Sequence, residues 1–126
     1  MKKQQLGSKD LLINRSYCFS LSIIRLIQKL KADLINNIIC KQLLRSSTSI
    51  GANITEAQAG RTKRDFTNYY HIALKSANES TYWLRIMLET ERNPSKVHEI
   101  KPILKELEEI SKMLNALIKS LKSRLK

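Results

Sequence analysis

The densest group of chemically active side chains in the sequence is the basic cluster Arg61, Lys63 and Arg64. Guanidinium and ammonium groups contact phosphate as charges presented from a surface, and they need no stricter arrangement than that. Thr62 is a good N-cap residue, and the free amides and dipole of a helix N-terminus also favour an anion. The cluster therefore predicts a phosphate-binding turn. For any single lysine, a solvated surface charge is the alternative.

Other cations extend this candidate interface. The chain has 23 Lys+Arg against 11 Asp+Glu, a net charge of +12. We expect RNA or DNA as a partner, with an anionic membrane surface or an acidic protein as the alternatives. The sequence contains no zinc-finger, helix-turn-helix or RNA-recognition motif that would read bases. The candidate nucleic-acid-binding residues are Arg61, Lys63, Arg64, Arg15, Arg25, Lys29, Lys31, Lys41 and Arg45.

Two further groups could support such an interface. Tyr69 or Tyr82 could stack on unpaired bases, although packing in the core or in a subunit interface is the favoured interpretation. The basic residues near the C-terminus suit the negative end of a helix dipole and could also reach a polyanion. They are Lys119, Lys122, Arg124 and Lys126.

The remaining titratable residues do not have the spacing of a catalytic or metal site. The chain lacks a nucleophile–base motif and a glycine-rich phosphate loop, so we predict no enzyme, no cofactor and no metal. Di-metal sites of helical bundles use Glu-x-x-His, and neither histidine lies in one. We expect Asn53, Glu56 and Glu79 to form inter-helix hydrogen bonds or salt bridges. Cys18 and Cys40 are expected to be reduced, half-buried thiols.

The apolar periodicity predicts four helices, and no strand pattern competes with them. Short connections make neighbouring helices antiparallel, which gives an all-α, up-down-up-down four-helix bundle in one domain, residues 1–126. The predicted helices span about 10–34, 38–59, 63–91 and 95–124.

Capping and helix-breaking residues set these limits. Residues 1–9 are expected to be frayed, with Ser8 or Asp10 capping the first helix. The next boundaries are predicted at a break at Asn36-Asn37, a C-terminal stop at Gly60 and a start at Asn93-Pro94. Pro102 is expected either to mark the true start of the last helix or to kink its opening.

Two helices have unusual faces. The first carries one apolar stripe at Ile13, Tyr17, Leu21 and Ile24 and a second at Ile23, Ile27, Leu30 and Leu34. This face is wider than one neighbouring helix needs, which favours self-association. The second helix contains small residues in its middle, which suit a close approach of helices. The predicted small-residue seam consists of Ser47, Gly51, Ala73 and Ala77.

Several ordered sequence elements carry a resemblance to a known family. They are KQLLRS-TSIGANI-EAQ at 41–58, Lys63, Asp65 and Phe66, IALK at 72–75, Glu79, and YWLR at 82–85. With them the chain resembles the small bacterial four-helix-bundle proteins encoded in intervening sequences of large-subunit ribosomal RNA genes, the S23 ribosomal protein-like family. The resemblance covers nearly the whole chain. The aromatic run Tyr69-Tyr70-His71 departs from the family pattern, and the last helix matches in pattern only.

The resemblance implies a ring-shaped homopentamer. It also implies similarity to the accessory variability determinant of diversity-generating retroelements, a basic pentamer that binds nucleic acid and a reverse transcriptase. The function predicted from charge and family together is a basic, homo-oligomeric, non-enzymatic protein that binds nucleic acid without sequence specificity. The alternative is a protein-interaction scaffold for a partner such as a polymerase or reverse transcriptase.

The N-terminus predicts a cytoplasmic protein with no membrane partner. Met1-Lys2-Lys3 resembles the start of a signal peptide, but Asp10, Asn14 and Arg15 interrupt the apolar stretch that should follow. No run in the sequence approaches the ~20 apolar residues of a membrane span.

Overall fold

The computed structural model describes residues 7–125, and they form the predicted all-α four-helix bundle. The predicted fraying of residues 1–6, the side chain of Arg124 and Lys126 lie outside the described part. The helices are α1 (Ser8–Lys29), α2 (Leu34–Ala57), α3 (Lys63–Thr90) and α4 (Pro94–Leu125).

Each helix packs against its two neighbours around a square, and along residues 7–125 the backbones of the diagonal pairs stay farther apart. The α2–α3 interface is the most extensive and the α1–α4 interface the least. Hydrogen bonds join the hydroxyls of Ser46 and Ser80 at 2.8 Å and those of Ser49 and Ser76 at 3.0 Å. Along α2 from Ser46 to Ser49, the partner residue in α3 moves back from Ser80 to Ser76, so α2 and α3 are antiparallel.

The boundary between α1 and α2 corrects the prediction. α1 ends at Lys29 rather than near 34, and α2 begins at Leu34 rather than 38. The Asp33 carboxylate is the cap, because it accepts a hydrogen bond from the Asn36 amide at 2.8 Å. Asn36 and Asn37 lie inside the first turn of α2, so the asparagine pair is not the break. Asp33 outweighs it because a carboxylate both accepts from the free amides and suits the helix dipole.

The start of α1 also differs from the prediction. α1 begins at Ser8 with Gly7 in the N-cap position, so the residues up to Lys9 are not all frayed. Gly7, rather than Ser8 or Asp10, therefore occupies the N-cap position. Asp10 lies in the first turn, where its negative charge suits the positive end of the helix dipole.

The predicted caps of α3 and α4 are confirmed. The Thr62 hydroxyl accepts from the Asp65 amide at 3.1 Å. The Asn93 carbonyl oxygen accepts from the Ser95 amide at 2.9 Å, and Pro94 is the first residue of α4. α4 continues through Pro102, which therefore does not mark its start.

Gly60 acts through close packing rather than through a left-handed conformation. α2 ends at Ala57, and no described residue has a positive φ. A Cβ at Gly60 would lie 3.1 Å from the Phe66 amide nitrogen and 3.3 Å from the Phe66 Cα. The glycine is thus needed because the turn passes against the backbone of α3.

The core consists largely of regularly spaced apolar residues of α2, α3 and α4, in keeping with the predicted helical periodicity. Buried residues of these helices include Leu43, Ile50, Ile54, Tyr70, Ala73, Ala77, Leu84, Ile100, Leu107, Ile110 and Leu114. For α1 the prediction is wrong in part, because its buried stripe is Leu12, Ser16, Phe19, Ile23 and Leu26. Tyr17 is 63% exposed and Ile24 is 36% exposed. Apolar residues occupy more than one side of α1, so spacing alone did not identify the inward side.

The small-residue seam has two directions. Ser46 and Ser80, which are not among the four predicted residues, pair across α2 and α3, so small residues of the two helices do meet. Gly51 instead faces α1, because a Cβ there would lie 3.4 Å from the carbonyl oxygen of Ser16. The seam therefore brings α1 close to α2 as well as α2 close to α3.

Candidate nucleic-acid interface

The turn between α2 and α3 presents the three cations of the predicted site. Arg61, Lys63 and Arg64 are exposed, and within residues 7–125 none of them forms an ion pair. We call them the basic turn. The first amides of a helix have no partner inside it, so those of Lys63 and Arg64 can donate to an anion. The Asp65 amide is already bound by the Thr62 hydroxyl.

An open groove of about 480 Å³ lies beside the basic turn. Arg61 and the half-buried ring of Tyr69 line it, together with the carboxylate residues Glu56 and Asp65. Two carboxylates near one guanidinium make the groove a poor pocket for a phosphate. A phosphate is better placed on the outer side of the turn, with Tyr69 available to a base that enters the groove.

Three of the predicted cations are held by glutamates. Arg15 of α1 forms a two-point pair with Glu106 of α4, in which Nε donates to Oε2 at 2.9 Å and the terminal nitrogen donates to Oε1. The hydrogen bond to Glu106 raises the pKa of Arg15, and partial burial opposes that rise. The other two pairs are Lys29–Glu99 at 3.5 Å and Arg45–Glu79 at 2.7 Å.

The other predicted cations are exposed but scattered. Arg25, Lys31 and Lys41 form no ion pair within the described chain. Lys29 and Lys31 lie at the end of the bundle opposite the basic turn, separated from it by the 24 residues of α2, about 36 Å. The structure therefore does not gather the nine predicted residues into one site.

The loops at that opposite end form a second groove of about 780 Å³. Its lining includes two cations that the sequence reasoning missed, Arg92 and Lys96, but Asp33 and Glu91 line it as well, so this groove is also a poor pocket for a phosphate and is not included in the candidate interface. Only the tertiary arrangement brings residues from two separate loops together, and no local sequence signal could have identified this groove.

One missed cation lies near the basic turn. The Lys9 ammonium sits 4.3 Å from the centroid of the Phe66 ring, in the first turn of α3. A cation over an aromatic face is attracted by the ring quadrupole. The pairing depends on the start of α1 lying beside the start of α3, which spacing along the chain does not show.

The polar residues beside the seams confirm the prediction only in part. Glu79 joins α2 to α3 by accepting from Arg45, and it also accepts from the Trp83 indole at 3.1 Å. Asn53 bonds to Ser49 of its own helix instead. Glu56 is exposed and forms no ion pair in residues 7–125. Among described residues, no three His, Cys, Asp or Glu side chains are placed to hold a metal ion.

The two cysteines are free thiols in contrasting environments, and neither is half-buried as predicted. Cys18 is exposed and Cys40 is buried. Burial raises the pKa of the Cys40 thiol, and the nearby charge of Asp33 raises it further. Cys40 is therefore a packing residue rather than a reactive one.

Comparisons with known proteins agree with this fold. The chain matches the 23S rRNA-intervening sequence protein family over residues 9–116. It is similar to a crystal structure of a protein of unknown function from the S23 ribosomal protein family of Bacteroides thetaiotaomicron, at 36% identity and a TM-score of 0.81. That match covers 90% of this chain and 99% of the other. No curated protein sequence matches the chain.

Neither comparison names a reaction, so no catalytic family is indicated. Along residues 7–125, every helix is too short or too polar for a membrane crossing. A family match over most of the chain and a closely similar structure at this identity lead to the same assignment. The chain belongs to the 23S rRNA-intervening sequence protein family.

Proposed function

We propose that the protein is a non-enzymatic homo-oligomer that binds RNA or DNA through phosphate contacts, without reading base sequence. The observation that carries this proposal is the basic turn. Its three cations are exposed, lack ion-pair partners within the described chain, and stand at a capped helix N-terminus whose amides can also donate.

The overall charge supports the same conclusion. The net charge of +12 attracts a polyanion over distances beyond direct contact. The basic turn supplies positive charge, and no base-reading motif occurs in the sequence. Binding should therefore depend on phosphate density and salt rather than on sequence.

The outward side of α1 supports self-association. Tyr17 and Ile24 are exposed there, and Leu21 between them is half-buried. An apolar stripe along one helix is a surface that a second copy can cover. A ring of five copies, the assembly that the sequence resemblance implies, would present five basic turns to one polyanion. Tyr17→Glu and Ile24→Glu together should prevent this ring from closing and leave the protein as a monomer.

A second candidate function, a scaffold for a protein partner such as a polymerase or reverse transcriptase, is favoured by a different patch. Leu34, Ile35 and Ile38 at the start of α2 are 75%, 66% and 55% exposed. If Ile35→Glu and Ile38→Glu together lower the oligomer mass in light scattering, the patch belongs to the self-interface and the scaffold function loses this support. If the mass is unchanged, the patch stays available to a partner.

The proposed function is tested by fluorescence anisotropy with labelled structured RNA and duplex DNA over a range of salt concentrations. We expect binding at low salt that weakens linearly on a plot of log affinity against log salt. Absence of binding at low salt, or binding that does not respond to salt, would overturn the proposal. Light scattering at micromolar concentration tests the oligomer, and a monomer mass would contradict it.

A further inference from the structure

The outer side of α4 carries a row of lysines that extends most of its length. The residues of this row alternate in spacing by four and three, which places them on one side of a helix. All of them are exposed. The row, which we call the α4 lysine face, consists of Lys101, Lys105, Glu108, Lys112, Asn115, Lys119 and Lys122. From first to last it spans about 31 Å.

Two of the four glutamates of α4 are directed away from this face, toward α1. Glu106 is bound to Arg15 of α1, and Glu99 lies 3.5 Å from Lys29 of α1. Glu109 lies beside the face and contacts Lys112 at 3.7 Å. Glu108 is the one carboxylate in the row itself, against five lysines. The packing of α4 on α1 thus separates the charges of α4 and leaves its solvent side positive.

We propose that the α4 lysine face binds the phosphate backbone of a nucleic-acid duplex along its length. This inference rests on the proposed nucleic-acid function and assigns it a second surface. Lysine presents a compact, strongly hydrated charge that suits phosphate contact without base recognition. The face is about as long as one turn of duplex DNA, roughly 34 Å, so its lysines can follow neighbouring phosphates.

The composition of the face argues against the other anionic partners. A helix that lies on a membrane needs large apolar side chains beside its cations, and an acidic protein partner needs apolar or aromatic anchors. None of the exposed large hydrophobic residues in the described chain lies on α4. A polyphosphate backbone needs only the charges.

The position of the face links it to the basic turn. α4 is antiparallel to α1, because Glu106 pairs with Arg15 and Glu99 pairs with Lys29. The contact of Lys9 with Phe66 places the starts of α1 and α3 at the same end of the bundle, so α4 is antiparallel to α3 as well. The C-terminal part of α4, with Lys119 and Lys122, therefore lies at the same end of the bundle as Lys63. A duplex held along α4 can reach the basic turn at its end.

The test compares two triple variants of the full chain that remove equal charge. The first is Lys101→Gln, Lys105→Gln and Lys119→Gln, three exposed residues with no ion pair within residues 7–125. The matched control is Lys75→Gln, Arg85→Gln and Arg92→Gln, which are also exposed and unpaired in that range but lie off the face. Thermal melting by circular dichroism verifies that both variants fold like the wild type.

Affinity for labelled duplex DNA and duplex RNA is then measured between about 50 and 200 mM salt. Each lost phosphate contact should reduce the magnitude of the slope of log affinity against log salt, which we call the salt slope, by about 0.9. The salt slope of the α4 variant should therefore be smaller than that of the wild type by about 2.7. The ratio of wild-type affinity to variant affinity should therefore fall by about 40-fold between the lower and the higher salt concentration. The control should change the slope by less than about 1.

The outcomes separate this inference from the proposed function. If the wild type binds with salt dependence and the α4 variant has the slope of the control, the α4 lysine face is not a binding surface, although the proposed function stands. If the wild type binds neither duplex nor structured RNA, both fail. If the α4 substitutions weaken binding to phosphatidylserine vesicles more than binding to duplex, the partner is a membrane and the inference is wrong.

Discussion

Arg15 and Glu106 connect α1 to α4 by two parallel hydrogen bonds, across the least extensive helix–helix interface of the bundle. Arg15 also donates to the Met113 sulfur at 3.4 Å. Both partners are partly shielded from solvent, with 29% and 35% of their side-chain surfaces exposed. Arg15, which the sequence predicted as a nucleic-acid contact, is therefore engaged in holding α1 to α4.

The first prediction concerns the strength of this pair. In a double-mutant cycle with Arg15→Ala and Glu106→Ala, we expect a coupling free energy of about 1 kcal/mol, because two charge-assisted bonds are partly screened by solvent. The cycle is measured by urea unfolding at one fixed protein concentration. Lys112–Glu109 is the matched control, since both of its side chains are more exposed. Equal coupling in the two pairs would contradict the prediction.

The second prediction distinguishes the two glycines of the α2 region. Gly60→Ala should destabilise the fold by about 1–3 kcal/mol, because the new Cβ meets the backbone of Phe66 and has no room to shift. Gly51→Ala should change stability by less than about 1 kcal/mol. Its Cβ would reach Ser16 at an ordinary contact distance, and alanine favours the helix by a similar amount. Unfolding midpoints in urea measure both, and a neutral Gly60→Ala would refute the close-packing account.

The third prediction concerns thiol reactivity. Iodoacetamide should modify Cys18 rapidly and Cys40 slowly, because Cys18 is exposed whereas Cys40 is buried and its pKa is raised. Mass spectrometry over time follows the two sites, and Cys18→Ser should abolish the fast phase. Rapid modification of Cys40 in folded protein would contradict the burial at the start of α2.

The fourth prediction concerns alkaline pH. Burial raises the pKa of the Tyr70 phenol, and the hydrogen bond from Gln58 at 2.9 Å offsets part of that rise. The folded state therefore holds this proton more tightly than the unfolded state. The resulting stability is fully present below about pH 10 and decreases as the pH rises through the folded-state pKa.

Phenolate absorbance measures this titration directly. Tyr70→Phe should remove the last phase of the phenolate titration. If Tyr70→Phe instead removes an early phase, the phenol is not buried in solution.

The sequence predicted the helices whose apolar residues lie on one side only. In α3 the residues at helical spacing from Tyr70 to Met87 are buried. In α4 the buried residues run from Ile100 to Leu121, with Ile103 and Leu117 between them half-buried. In α1 the apolar residues surround the helix, so the inward side is decided by α2 and α4 and not by local spacing.

The candidate site was predictable in the same uneven way. The basic turn lies between the predicted end of α2 and the predicted start of α3, so its exposure could be predicted from neighbouring residues in the sequence. The pairing of Arg15 with Glu106 joins residues that are 91 positions apart, and only the packed bundle brings them together. The α4 lysine face was readable in principle, since its spacing is regular, but the four glutamates of α4 obscured it until their direction was known.

The central claim is that the basic turn binds phosphate, and the most direct test is to reverse its charge. Arg61→Glu, Lys63→Glu and Arg64→Glu together should leave the thermal melt unchanged, since all three side chains are exposed. Binding of labelled RNA and duplex DNA at low salt should weaken by at least about 100-fold, with a salt slope lower by about 3. The variant Lys75→Glu, Arg85→Glu and Arg92→Glu has the same net charge and should keep most of the affinity. Equal loss in the two variants, or none in the first, would contradict the claim.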